Sequence, residues 1–195
     1  LERILTALPA GRRRGLELMD SLGLMRVLLP EIDAMHGTKQ GLPHHPEGDV
    51  FTHTILCVGH LREPTFELAL AGLLHDLGKP STADVREERR TFYGHERIGE
   101  GMAEKICGRL HLSTLQMRRV MWLVRSHMKL MCCDEMREAK LKRMFAEDGF
   151  EELAELWRAD CLASGGTAEA YENLMARYRA MGREEVKPSP LVTGD

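Results

Sequence analysis

The chain has 195 residues, 43% of them hydrophobic, enough to bury one helical core of moderate size without disulfide staples. Its formal net charge of −3 excludes the global basic field that draws in nucleic acid, so any RNA contact would have to be local. The five cysteines (Cys57, Cys107, Cys132, Cys133, Cys161) are odd in number and lack metal-finger spacing, which reads as reduced thiols in the cytoplasm. No apolar run is long enough to span a bilayer and no cleavable signal pattern is present. A start at Leu1 instead of Met fits a processed product or an excised domain.

In chain order, three short apolar-periodic segments predict a small helical neck: Leu1–Leu8 before Pro9, Arg12–Leu22 before Gly23, and Leu24–Leu29 before Pro30. Arg12-Arg13-Arg14, at a helix start, reads as a solvated turn in preference to an RNA contact. Gly37, Gly41, Pro43, Pro46 and Gly48 predict a loop that also holds His44 and His45. Phe51–Arg62 reads as a helix whose inner face includes Leu56 and Gly59 beside His53 and His60. Phe66–Asp76 is the next helix, apolar almost all round and stopped by Gly78 and Pro80. Asp84–Arg90 reads as a charged loop. A long helix opens at Gly94-His95-Glu96 and runs to about Leu110. Ser113 to Gln116 has the capping-box pattern for a helix reaching about His127. Asp134 reads as the cap of a helix ending at Gly149, followed by Phe150–Ala163 and a last helix from Thr167 to about Met181. With no strand pattern of any length, the fold class is all-α.

His75 and Asp76 stand together where the apolar helix ends. A buried, unpaired carboxylate is costly, and a metal ion is one economical partner for it. Six titratable residues occupy otherwise apolar settings: His53, His75, Asp76, His95, His127 and Asp160, all but His53 near a predicted helix end. Neutral imidazoles and carboxylates suit divalent Mn, Fe, Co, Ni or Zn, and three or four of them with open positions make a catalytic site instead of a closed structural one. A satisfied polar network in the core is the alternative. His36, His60 and His111 lack such context and read as structural, and Arg118, Arg119, Arg125 and Lys129 as a solvated helix face.

In order along the chain, His53, His75-Asp76 and Asp160 resemble the H…HD…D signature of the HD superfamily of metal-dependent phosphohydrolases. The words HHPEGDVFTHT, LLHDLGKP, FYGHERIGE, VRSHM and RADCLAS are similar to the C-terminal half of bacterial tRNA nucleotidyltransferases and poly(A) polymerases that carry an HD domain. LERILTAL and GLMRVLLPEI resemble the segment after their nucleotidyltransferase head, and PSPLVTGD the start of their extension. The resemblance implies an HD-type helical bundle over residues 47–182, preceded by a helical neck and loop at 1–46 akin to an RNA-binding or linker region, with a tail at 183–195. It implies that His53, His75, Asp76 and Asp160 hold one divalent ion, Mg included among the candidates, and that His95 and His127 bind a second ion or the substrate phosphate. Asp76 is then the bridging ligand; Lys79, by its position just beyond the helix end, can meet a phosphate as a point charge, with a solvated C-cap lysine as the alternative. The Gly-Gly…Arg-Asp strand and Asp-x-Asp of the polymerising head are absent from this sequence, so nucleotide addition is not expected from this chain alone. The implied activity is hydrolysis of a phosphoester, as a phosphodiesterase or phosphatase, at a tRNA 3′ end or on a nucleotide, with a covalent or separate nucleotidyltransferase head as partner. A non-catalytic module that binds or positions RNA for such a head is the alternative.

Overall fold

A computed structural model describes residues 1–41, 46, 48–86 and 89–181; His44, His45 and the tail at 183–195 lie outside them. Four short helices form the N-terminal part: α1 (Glu2–Leu5), α2 (Pro9–Ser21), α3 (Leu24–Leu28) and α4 (Pro30–Asp33). Pro9 and Pro30 open helices instead of closing the ones before them, because the amide hydrogen that proline lacks would be unpaired in a first turn anyway. Arg12 therefore lies inside α2. It is 1% exposed, and its guanidinium donates to the Leu61 carbonyl, so it is neither a solvated turn nor an RNA contact. Arg13 and Arg14 do face solvent, Arg13 pairing with Glu17 at 2.8 Å.

Asp49 caps α5 (Val50–His60) by accepting from the Thr52 amide at 2.9 Å. Its buried face is Val50, Phe51, His53, Thr54, Ile55, Cys57 and Val58; His60 is exposed and Leu56 only half-buried, so the helix is turned from the expected orientation. Thr65 caps α6 (Phe66–Leu74), in which every side chain from Leu68 to Leu74 is buried, as its unbroken apolar run predicts. Gly78 does not stop the chain. A single turn, α7 (Lys79–Thr82), follows it directly.

Where a loop was expected, Asp84–Arg86 (β1) and Arg89–Thr91 (β2) pair as an antiparallel hairpin with Asp84 opposite Thr91. Three-residue strands are too short for alternation to show. Beyond them come α8 (His95–Arg109) and α9 (Thr114–Ser126), the latter opening on the expected Ser113–Gln116 capping box. Two 3-10 turns, His127–Leu130 and Cys133–Glu135, lead to α10 (Glu138–Phe145), α11 (Phe150–Ala163) and α12 (Glu169–Ala180). Asp134 sits in the second 3-10 turn, and the cap position of α10 falls to Arg137.

Helix α5 packs against α2, α6 and α11, α6 against α9, and α9 against α8. Leu5, Leu16, Met25 and Ile32 of the first four helices join Leu70, Leu73, Val124 and Leu156 in one apolar core. A polar seam ties the end of α5 to its neighbours. Arg158 on α11 donates to the His60 carbonyl at 2.6 Å and to Glu155, whose other partner is the Arg62 amide at 2.7 Å. With Arg12 on the Leu61 carbonyl, two guanidiniums and one carboxylate meet the chain where the helix stops bonding to itself. Replacing Arg12→Ala leaves a buried carbonyl unmet, and should lower the unfolding free energy by about 1–3 kcal/mol. The check is urea denaturation, with the midpoint falling at an unchanged slope.

Candidate metal centre

Five helices deliver the side chains that the sequence analysis singled out. His53 projects from α5 and Asp160 from the last turn of α11. His75 is the residue on which α6 ends, Asp76 follows it, His95 begins α8, and His127 closes α9. All six come together, in two trios whose ligand atoms lie within 4.8 Å of one another: His53, His75 and Asp160, and then Asp76, His95 and His127. Asp76 joins them. Its Oδ2 is 3.2 Å from His75 Nε2 and 3.6 Å from His53 Nε2, while its Oδ1 is 3.5 Å from His95 Nε2 and 3.8 Å from His127 Nε2. His53 Nε2 meets Asp160 at 2.9 Å.

Three of the imidazoles are held by the same local device. The Nδ1 of His75 bonds the Gly72 carbonyl at 2.8 Å, that of His95 the Phe92 carbonyl at 2.7 Å, and that of His127 the Val124 carbonyl at 2.7 Å. In each case the partner lies three residues back. For His75 and His127 it is a carbonyl in the last turn of a helix, left without an amide by the helix ending there. A carbonyl only accepts, so each Nδ1 must carry the proton, which leaves a lone pair on each Nε2.

Those lone pairs all face inward, towards further acceptors. His95 Nε2 and His127 Nε2 are 3.1 Å apart, and His75 Nε2 is buried beside Asp76 Oδ2 but out of line for a hydrogen bond. Protonating an imidazole would relieve the clash, yet burial pushes His127 down to about 4 and also lowers His95, against the pull of Asp76. Burial opposes ionisation of Asp76 as well, but His75, whenever it carries charge, and the Lys79 ammonium hold its carboxyl well below the usual range. Asp160 is likewise lowered, burial being outweighed by its bond from His53. Three imidazole nitrogens with inward lone pairs, converging with ionised carboxylates, are what a divalent cation requires, and the residues fit one. The thiols stay out: burial raises Cys57 well above its ordinary value and Cys161 to about 11.

Lys79, 8% exposed, places its ammonium 2.7 Å from Asp76 Oδ2, off the line of a directed hydrogen bond, and 2.6 Å from Gln40 Oε1. Gln40 escaped the sequence reading, since a lone glutamine in a predicted loop carries no motif. The exposed cations read as a helix face are engaged elsewhere. Arg119 reaches Asp148 at 2.7 Å, Arg125 reaches Glu96 at 2.8 Å and Lys129 reaches Glu147 at 3.2 Å. His36 bonds Asp20 at 2.9 Å and stacks on Phe51, with Asp33 nearby, and His111 sits in the left-handed turn after α8.

The HD domain family model matches residues 50–157, more than half of the sequence, and the chain belongs to that family. The match ends three residues before Asp160. The CC-adding tRNA nucleotidyltransferase of Thermus thermophilus is 34% identical over 189 residues, and the A-adding tRNA nucleotidyltransferase of Deinococcus radiodurans 34% over 194, each covering 93% of this chain. A multifunctional CCA protein of Halorhodospira halophila is 33% identical over 135 residues, 68% of the chain. The chain spans 42%, 44% and 32% of these relatives respectively. Among the described residues no helix is long and apolar enough to cross a membrane.

Close backbone approach sets the spacing of the two trios. A Cβ on Gly78 would lie 2.1 Å from the His95 carbonyl oxygen, so only glycine lets the turn after Asp76 lie against the start of α8. Gly78→Ala must therefore push His95 away from Asp76. It should cost about 1–3 kcal/mol of stability, as overpacking typically does. Differential scanning calorimetry reads that loss, and elemental analysis of the same sample should show reduced bound metal.

Proposed function

We propose that this chain is a metal-dependent phosphohydrolase unit, a phosphodiesterase or phosphatase, of a protein like the tRNA nucleotidyltransferases and poly(A) polymerases. The observation that carries the reading is the inward convergence of imidazole lone pairs on Asp76, with His95 and His127 only 3.1 Å apart. In this reading His53, His75, Asp76 and Asp160 hold one divalent ion, and His95 and His127 share a second with Asp76. Bound cations would supply Lewis acidity to water and neutralise charge on the phosphoryl oxygens. The residues themselves do the placing. Asp76, anchored by its position after α6, offers one carboxylate oxygen to each trio, and the carbonyl-bound imidazoles cannot turn away. The Lys79 ammonium, which stands against Asp76, would meet a phosphate as a point charge. Residues 47–182 would form the hydrolase unit, 1–46 a neck and 183–195 a tail.

The relatives' names point to RNA as the substrate class, with the tRNA 3′ end or a nucleotide as the candidate phosphoester. Their nucleotidyl transfer is not proposed for this chain, which spans less than half of each of them. A divalent ion should co-purify or be taken up on titration, and the loaded protein should hydrolyse bis(p-nitrophenyl) phosphate. Chelation should abolish that activity. Asp76→Ala should lower kcat/KM by more than about 100-fold, beyond the 10–100-fold typical of outer partners of a metal. A chain that takes up no metal, hydrolyses nothing and binds tRNA tightly would turn the reading into that of an RNA-positioning module.

A further inference from the structure

Gln40 lies between α4 and α5, outside the stretch matched by the family, and is 6% exposed. Its segment is fixed against the start of α5. The Val50 amide donates to the Thr38 carbonyl at 3.0 Å, the Gly37 amide to Asp49 Oδ2 at 2.8 Å, and Lys39 pairs with Asp49 in an antiparallel bridge. From there Gln40 Oε1 accepts from Lys79 Nζ at 2.6 Å, the same ammonium that stands against Asp76. An ammonium only donates, which settles the orientation of the amide: its oxygen faces Lys79 and its NH2 faces elsewhere. Among the described residues that NH2 is buried and has no partner. A fold seldom keeps an unmet buried donor without a use for it.

Beside this pair, His75, His95, His127 and the two carboxylates present acceptors. The neighbouring donors are an ammonium and a primary amide, and what such a pair fits is an oxyanion entering beside a cation centre. The pair also includes one of the two most exposed side chains of the cluster. Asp160 and Lys79 are 21% and 10% exposed in their side chains, against 6% or less for the four histidines and Asp76. We propose that Gln40 is a substrate-binding residue whose NH2 donates to a non-bridging phosphoryl oxygen while Lys79 neutralises its charge. This rests on the phosphohydrolase reading of the centre, and extends it to a phosphate-recognition arm supplied by the segment before α5.

The test uses the full chain loaded with divalent metal and orthophosphate as the probe, with binding followed by calorimetric titration and metal content by elemental analysis. Gln40→Glu keeps an oxygen for Lys79 and the length of the side chain but replaces the NH2 by an anion; Gln40→Ala removes both. Both variants should keep the wild-type metal content. Orthophosphate affinity should fall by at least about tenfold, the scale of one hydrogen bond to a charged group, and further in Gln40→Glu. With bis(p-nitrophenyl) phosphate the loss should appear mainly in KM. Unchanged orthophosphate affinity in Gln40→Glu would overturn the proposal. So would affinity lost in step with metal, which would make Gln40 a prop for Asp76. Should Gln40→Ala fail to fold, the near-isosteric Gln40→Glu decides alone. A wild-type chain that takes up no metal would instead bring down the reading of the centre itself, before any variant is made.

Discussion

The architecture depends on an arrangement that a protein core would not otherwise select: lone-pair nitrogens packed nose to nose around a carboxylate. His95 and His127 bring Nε2 atoms to 3.1 Å, and Asp76 adds an oxygen within 4 Å of each. Burying one unpaired acceptor is unfavourable, and gathering several multiplies the cost through mutual repulsion. The fold tolerates this because it fixes every imaginable escape. Each of these imidazoles, with His75, is pinned by its Nδ1 to a carbonyl three residues back, so rotation away from the centre would sacrifice a bond of 2.7 to 2.8 Å. Orientation is thus a property of local backbone, written separately into three helix ends.

Helix ends also deliver five of the six side chains that meet at this place. A side chain in the middle of a helix is held at least a helix radius from its neighbour, whereas a terminus can aim along the axis into the gap between elements. Bringing termini that close requires removal of side-chain bulk, and glycine supplies it. A Cβ on Gly78 would run into the backbone of His95, and one on Gly99 of α8 would crowd Val124 at 3.3 Å. His53 is different. It projects from within α5, which packs directly on α11 and is tied at its far end by the seam of Arg12, Arg158 and Glu155. A scaffold of buried charges therefore stands behind a site of buried charges.

The legible and illegible parts of the sequence divide along physical lines. The apolar run of α6, the capping box of α9 and the glycines before α8 and α11 are local signals, and the helices lie where they predict. The H…HD…D order, with His95 and His127, named all six side chains that converge, because polar residues in apolar surroundings stand out by chemistry alone. What failed needed knowledge of distant partners. Arg12 in a run of three arginines looks solvated, and only the Leu61 carbonyl, 49 residues away, makes it a core residue. The orientation of α5 was misjudged since His60 and His53 share a helical repeat, yet packing against α2, α6 and α11 buries one and exposes the other. Pro9 reads as an end but is a beginning, an ambiguity inherent in a residue that suits first turns and interrupts later ones. Gln40 had no signal of any kind.

The adjacency of His75 and Asp76 has its own logic. Helix α6 ends at Leu74, so the next two residues leave the axis in different directions while remaining anchored by seven consecutive buried residues. His75 can then join His53 and Asp160, and Asp76 can join His95 and His127, without either trio needing its own helix from the core. Asp76 still reaches back, with Oδ2 3.2 Å from His75 Nε2. A glutamate would place its carboxylate a methylene further out and lose that symmetry, and an asparagine would present one acceptor and one donor where two acceptors are needed. Within this geometry a short, doubly accepting side chain next to a terminal histidine is the most compact way for one turn to serve two sets of ligands, and it makes the dipeptide, more than any single ligand, the element on which the centre is built.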